Sequence, residues 1–319
     1  MTPAPDISVI VPMRNAAPYV AQTLASILEE KSVNLEVIVV NDGSTDDSAQ
    51  IVSALNDPRI RMIDGPQQGI AASVNAGLAA CRGAVTIRCD ADDLWVAGRC
   101  TRQLQILNVS ETTVAVCGGY STIDAQGRPV ANLDTGASTQ DITDELRSGH
   151  TRTHFGTFAI RTALLRELGG ARDYFVGTED IDLQLRIACA GTVQYDPAPV
   201  YRYRLHDTSS THTQSSPQRD FLTQQARRFV VQRMESGADD LDRGTAQPPP
   251  EGGEDAPMSV AEQTLSQQIG HAWRLRRDRH RGRALVAITH LLMRNPTSLR
   301  VWKQWLWMLL KTPLPGTGW

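Results

Sequence analysis

The chain has 319 residues, 41% of them apolar, five cysteines and a formal net charge of -3. That length holds one large core plus a smaller appendage, and the apolar share is ordinary for a globular chain. The charge, with a pI near 6.2, excludes the basic balance by which nucleic acid is held, and no apolar stretch approaches the ~20 residues a bilayer span needs.

Ile7-Ser8-Val9-Ile10-Val11-Pro12 is apolar and rich in β-branched residues, which predicts a buried first strand. A strand so close to the start leaves no room for a signal peptide and points to the cytoplasm. A helix follows, with Asn15 as its expected cap, Pro18 in its first turn, and Val20, Leu24, Ile27 and Leu28 at helical spacing. Leu35 to Val40 repeats the buried-strand pattern and runs into Asn41-Asp42-Gly43-Ser44-Thr45-Asp46, where Ser44 or Thr45 is positioned to cap the next helix. Arg59 to Ile63 predicts a third strand, and Gly69 to Gly77 a helix whose small residues allow close packing. Ala84 to Cys89 reads as a buried strand that ends in Asp90-Ala91-Asp92-Asp93. Strand and helix in alternation predict a doubly wound, mostly parallel α/β sheet, whose ligands bind beyond the carboxyl ends of the strands.

Asp90 and Asp92, two apart in extended chain, point to one side of that edge, and Asp42 belongs to the same crevice. Two hard oxygen donors there suit Mg²⁺ or Mn²⁺ carrying a diphosphate; a solvated acidic turn is the plainer alternative. No Gly-x-Gly-x-x-Gly turn follows the first strand and no Gly-Lys-Ser/Thr phosphate loop occurs, which argues against dinucleotide and P-loop sites.

Val9 to Asn15, Val40 to Asp46, Gly69 to Gly77, Asp90-Ala91-Asp92-Asp93, Arg99, and Glu179-Asp180 with Leu183 and Arg186 stand in an order that resembles the inverting family 2 glycosyltransferases of GT-A fold. The resemblance covers roughly the first two-thirds of the chain. It implies a nucleotide-sugar donor bound by Pro12, Arg14, Asn15, Asp42, Asn75, Asp90, Ala91 and Arg99, with Asp42 on the base and Asp90 on the ribose. It further implies Asp92 and His206 as metal ligands, Mn²⁺ or Mg²⁺ as cofactor, and Glu179-Asp180 as the catalytic pair, with Asp180 the favoured base. The acceptor expected is a glycan or lipid-linked sugar, in surface polysaccharide assembly.

Each residue also has a structural reading. Thr178 can cap a helix ending at Gly191, where Glu179 and Asp180 would stabilise the helix dipole. His206 can be a surface histidine, Arg99 the start of a helix and Trp95 a core aromatic. Ala97 replaces the family's usual proline and His154 to Phe158 departs from its pattern, while the absence of Gln-x-x-Arg-Trp favours single-sugar transfer. A sugar nucleotidyltransferase and a non-catalytic binding protein are the rival readings. Cys81, Cys89, Cys100, Cys117 and Cys189 have no metal-ligand spacing and read as reduced thiols.

Three segments are expected: a transferase domain over 1–234, a flexible acidic Pro/Gly linker over 235–257, and a helical extension over 258–319. Helical periodicity over Val260 to Met293, a break at Asn295-Pro296 and an apolar face at Trp302, Trp305, Leu306 and Leu309 predict a two-helix hairpin. Its arginines and tryptophans leave three uses open: docking on the catalytic domain, pairing between subunits, or peripheral contact with the inner face of a membrane.

Overall fold

The computed structural model describes residues 4–133, 136–206, 216–250, 259–277 and 280–310. Strand β1 (Ile7–Met13) is buried along its whole length and pairs in parallel with β2 (Leu35–Asn41) on one side and β4 (Val85–Arg88) on the other. Strand β3 (Ile60–Asp64) extends the parallel set beyond β2. Alternate residues feed opposite layers, as the two-residue period requires. Val9, Val11 and Met13 pack with Val20, Leu24 and Ile27 of α1 (Val20–Leu28), in a cluster that Val52 of α2 (Ser48–Ala54) also enters. Ile10, Ile38 and Val40 turn instead towards α3 (Ile70–Ala80). There Gly77 is required by contact, because a Cβ would lie 2.5 Å from Ile10 Cγ2.

The second half departs from the expected parallel order. The short strand β5 (Leu94–Trp95) and α4 (Arg99–Leu107) lead to β6 (Thr113–Asp124), β7 (Pro129–Asn132), β8 (Gln140–Asp141) and α5 (Thr143–Arg147). Strand β9 (Ala159–Arg161) then inserts antiparallel between β4 and β6. Helices α6 (Thr162–Glu167) and α7 (Glu179–Ala190) precede β10 (Thr192–Leu205), which runs parallel to β6. The order β3-β2-β1-β4-β9-β6-β10-β5, with β7 on β6 and β8 on β10, makes a mixed ten-stranded sheet. The switch in strand order around β1 and β4 opens the crevice at their carboxyl ends.

Helix α8 (Ser216–Ser236) returns over the core through Leu222, Ala226, Phe229 and Val230. Gly237, at φ 79°, closes it in the left-handed conformation common past helix ends. The expected linker is not free as it leaves α8. Asp239 is fully buried and accepts from Arg172 and Arg233, each at 2.7 Å, Leu241 and Ala246 pack on the core, and Tyr174 donates to the Gln247 carbonyl at 2.6 Å. The acidic residues that suggested solvation are partners for buried arginines. Residues 251–258 lie outside the described set.

Among the described residues the C-terminal extension has three helices where two were expected: α9 (Val260–Arg277), α10 (Arg281–Arg294) and α11 (Leu299–Leu310). The arginine run that looked continuous is interrupted at His280 (ψ 54°), where α10 starts. The three helices bury their own cluster, Ile269, Ala272, Ala284, Ile288, Leu291, Leu292, Val301 and Met308. Helix α9 docks against β7, where a His271 Nδ1 contact to the Asn132 carbonyl spans 2.9 Å.

Candidate active site

The loops after β1 and β2 lock to each other. Asn15 adopts φ 51° and accepts from the Thr45 N–H at 2.8 Å, while the Asn15 N–H donates to Ser44 Oγ at 3.2 Å. Asp46 accepts from Ala17 N and Ser48 N, both at 3.0 Å. Asn15 is therefore a loop clasp rather than the cap of α1, whose first N–H groups bond to the Ala16 carbonyl. Ser44 and Thr45 likewise serve this clasp, and no side chain caps α2. Pro12 is buried within β1 and Arg14 is exposed on the loop.

Asp42 is buried, donates its N–H to the Met13 carbonyl at 2.8 Å, and accepts from Gln67 N at 2.7 Å through Oδ1. Its other carboxylate oxygen makes no hydrogen bond among the described residues, which leaves it for a ligand. Gly65 fits only without a side chain, since a Cβ would stand 2.7 Å from Asp42 Oδ1.

Beyond β4 the acidic turn is fixed from two sides. Thr23 of α1 donates to the Ala91 and Asp93 carbonyls at 2.9 and 2.8 Å, and Tyr201 of β10 donates to Asp93 Oδ2 at 2.7 Å while accepting from the Asp90 N–H. Asp93 is wholly buried; burial and the neighbouring carboxylates of Asp92 and Asp90 push its pKa well above the ordinary range. It is the structural member of the triplet, and Ala91 is buried beside it. Asp90 and Asp92 keep partial exposure, at 21% and 29% of their side chains. Asp92 Oδ2 lies 2.8 Å from His206 Nε2, and the Tyr19 ring packs 4.8 Å from the histidine.

The residue that joins this turn to α7 is Arg88, which sequence reasoning left inside an apolar run. Its Nε donates to Asp90 at 2.6 Å and its Nη1 to Glu179 at 3.1 Å. Burial works against the Arg88 cation, and Asp90 and Glu179 outweigh it, so the guanidinium stays charged. Its one sequence signal is a charge at the last position of an otherwise buried strand. Glu179 is 5% exposed and holds Arg88 through one oxygen only. Burial raises its pKa, as it raises that of half-buried Asp180, although Arg88 pulls against both and Arg219 also against Asp180. A raised pKa makes a carboxylate a better proton acceptor. The expected Thr178 side-chain cap is absent, and Thr178 supplies only backbone acceptors. Helix α7 is anchored instead by Asp182, which pairs with Arg172 and, at 2.8 Å, with Arg186.

The structure therefore brings Asp90, Asp92, His206, Glu179 and Asp180 to one end of the sheet, with Asp42 at the same carboxyl edge. Two expected donor contacts have other employment. Asn75 makes paired 2.8 Å bonds to the backbone N–H and carbonyl of Ala171. Arg99 is buried over the Trp95 ring at 4.3 Å and donates to Gln103 and the Gly156 carbonyl, so it and Trp95 belong to the core. A further element was missed: His154, whose Nδ1 accepts from the Gly156 N–H at 3.1 Å, sits among Tyr120, Tyr201 and Tyr203 with ring centroids 5.0–5.9 Å away. Burial holds its pKa down at about 4, so the ring is neutral.

Among the described residues no group of three or more His, Cys, Asp or Glu side chains is placed to cage a metal ion. Asp92 and His206 offer one hard oxygen and one nitrogen, which fits an ion that completes its shell with diphosphate oxygens and water.

The sequence profile described as "Glycosyl transferase family 2" matches residues 8–169. An uncharacterized glycosyltransferase of Rickettsia typhi is 28% identical over 216 residues, 66% of this chain and 68% of its own. Chondroitin synthase of Pasteurella multocida is 26% identical over 71% of this chain, which spans only 23% of that protein. Among solved structures, S. aureus TarS 1–349 in complex with UDP superposes with a TM-score of 0.57 at 18% identity, covering 71% of this chain and 65% of that one. The mannosyltransferase PcManGT from Pyrobaculum calidifontis, in complex with GDP-Man and Mn²⁺, gives 0.56 at 20% identity over 97% and 85%. At these identities the two superpositions speak to fold.

Proposed function

The chain belongs to glycosyl transferase family 2, and we propose that it moves a single sugar, with inversion, from a nucleotide-sugar donor to a hydroxyl of a glycan or glycolipid acceptor. The observation that carries this reading is the Asp90–Arg88–Glu179 bridge, which ties the carboxylates after β4 to the start of α7. One cation thereby fixes the spacing between a donor-side acid and the pair that holds the base.

In this reading Asp42 takes the base of the nucleotide through its free carboxylate oxygen, and Asp90 the ribose. Asp92 and His206 would hold Mn²⁺ or Mg²⁺, which would supply positive charge beside the leaving diphosphate. Asp180 accepts the acceptor's hydroxyl proton as that oxygen attacks the anomeric carbon opposite the diphosphate, and the C–O bond to the diphosphate breaks with its electron pair. Glu179, engaged with Arg88, positions rather than reacts. The raised pKa of Asp180 suits it to the base role. The likeness to chondroitin synthase supports a setting in polysaccharide assembly.

The test separates base from binding. Asp180→Asn is expected to lower turnover by about 10²- to 10⁴-fold, the usual contribution of a general base, with donor affinity unchanged. Lost donor affinity with intact turnover per bound enzyme would move the base elsewhere.

A further inference from the structure

Residues 258–319 hold ten Lys and Arg against two Asp and Glu, while the rest of the chain holds 22 against 33. Between 280 and 310 no carboxylate occurs at all, and Arg281, Arg283, Arg294, Arg300 and Lys303 are all exposed. A chain of negative net charge thus carries a purely cationic helix pair, α10 and α11.

The same helices expose apolar side chains. Helix α11 buries Val301 and Met308 in its own cluster. At 100° per residue, Leu309, Trp302, Leu306, Leu299 and Leu310 fall in a separate arc of about 100°. They are 48%, 42%, 46%, 84% and 77% exposed. Lys303 and Arg300 border that arc on one side, so the helix has two apolar faces and only one is covered. Trp302 adds exposed ring surface to this arc while its indole N–H donates to the Pro296 carbonyl at 2.8 Å.

We propose that the uncovered face of α11, bordered by Lys303 and aided by the other exposed cations of α10 and α11, seats the protein on an anionic lipid surface. The apolar arc enters the headgroup boundary while the arginines and Lys303 meet lipid phosphates, a combination in which burial and charge both favour the bound state. A second copy of this chain is the poorer occupant, since pairing the faces would bring two carboxylate-free cationic helices together. The placement has a consequence for the site: α9 packs on β7 beside β6, whose Tyr120 lines the aromatic wall at His154. The lipid-facing unit is therefore a neighbour of the crevice. The proposal stands apart from the transfer reading, because it uses none of the site residues.

Co-sedimentation of the full chain with phosphatidylcholine vesicles, and with vesicles containing about 30% phosphatidylglycerol, tests it. The expected result is binding to the anionic vesicles only, weakened roughly ten-fold by Trp302→Ser with Leu306→Ser, and as much by Arg294→Glu with Lys303→Glu. Both pairs are exposed, and Asp92→Ala should bind lipid as the native chain does. Equal recovery with neutral vesicles, no recovery with either, or no loss in both variants would overturn the proposal. So would self-association, seen by ultracentrifugation, that the Trp302/Leu306 variant abolishes while vesicle binding is absent.

Discussion

The catalytic half and the C-terminal helices use arginine in opposite ways. Around the crevice, cations are enclosed by carboxylates: Arg88 by Asp90 and Glu179, Arg172 by Asp182 and Asp239, Arg186 by Asp182. On α10 and α11 the cations are exposed with no carboxylate in their own segment, and the partners of Arg300 and Lys303 are the uncharged Ser266 hydroxyl and Trp307 ring. Enclosed pairs fix geometry, because removing one partner strands a buried charge. Solvated cations fix little within the fold and instead present a field outward.

The largest effect is expected at Arg88. Arg88→Met should cost about 3–5 kcal/mol in chemical unfolding and reduce turnover further by loosening α7, whereas Arg294→Met on α10 should change stability by less than about 0.5 kcal/mol. Equal effects would erase the distinction. Asp239→Asn comes next, at about 3 kcal/mol, by exposing Arg172 and Arg233 to an interior without their partner.

The pH dependence sharpens the same contrast. Burial works against the Asp239 carboxylate, but hydrogen bonds from Arg172 and from the Asp242 backbone outweigh it and lower its folded pKa. A depressed carboxylate contributes stability above its unfolded pKa, near 3.9, and loses that contribution as pH falls through the folded value. Asp239→Asn should therefore flatten the acid side of a stability profile below about pH 4. His154 has the opposite chemistry: its folded pKa near 4 lies below the 6.5 of a free imidazole, so the unfolded chain binds the extra proton. Stability should rise with pH between those values, and His154→Asn should remove that rise. The smallest effect expected is from deleting residues 259–319. Because those helices have a separate core, the catalytic domain should keep its unfolding midpoint within a few degrees and still hydrolyse donor; a collapsed midpoint would make the helices part of the first core.

Much of the parallel half of the sheet was legible because it is written in runs. Strands β1, β2 and β4 are unbroken apolar stretches, and Asp42, Asp90 and Asp92 stand at their ends. The second half was not, since β9 has three residues and carries no period of its own, yet its antiparallel insertion turns the sheet mixed. Position in a motif points Asn15, Asn75 and Arg99 at the donor, while their side chains serve a loop clasp, the Ala171 backbone and the Trp95 stack. Arg88 and His154 were missed because their partners are distant in sequence: 91 residues separate Arg88 from Glu179. The acidic stretch after α8 was misread because solvated and ion-paired carboxylates have the same composition.

The most direct measurement is calorimetric titration of the full chain with UDP-, GDP- and dTDP-sugars in Mn²⁺, repeated on Asp92→Ala and with a chelator present. Binding of one donor class that is lost both in Asp92→Ala and on chelation is the predicted result. Donor binding that persists without metal and without the Asp92 carboxylate would contradict the role given to the acidic turn after β4.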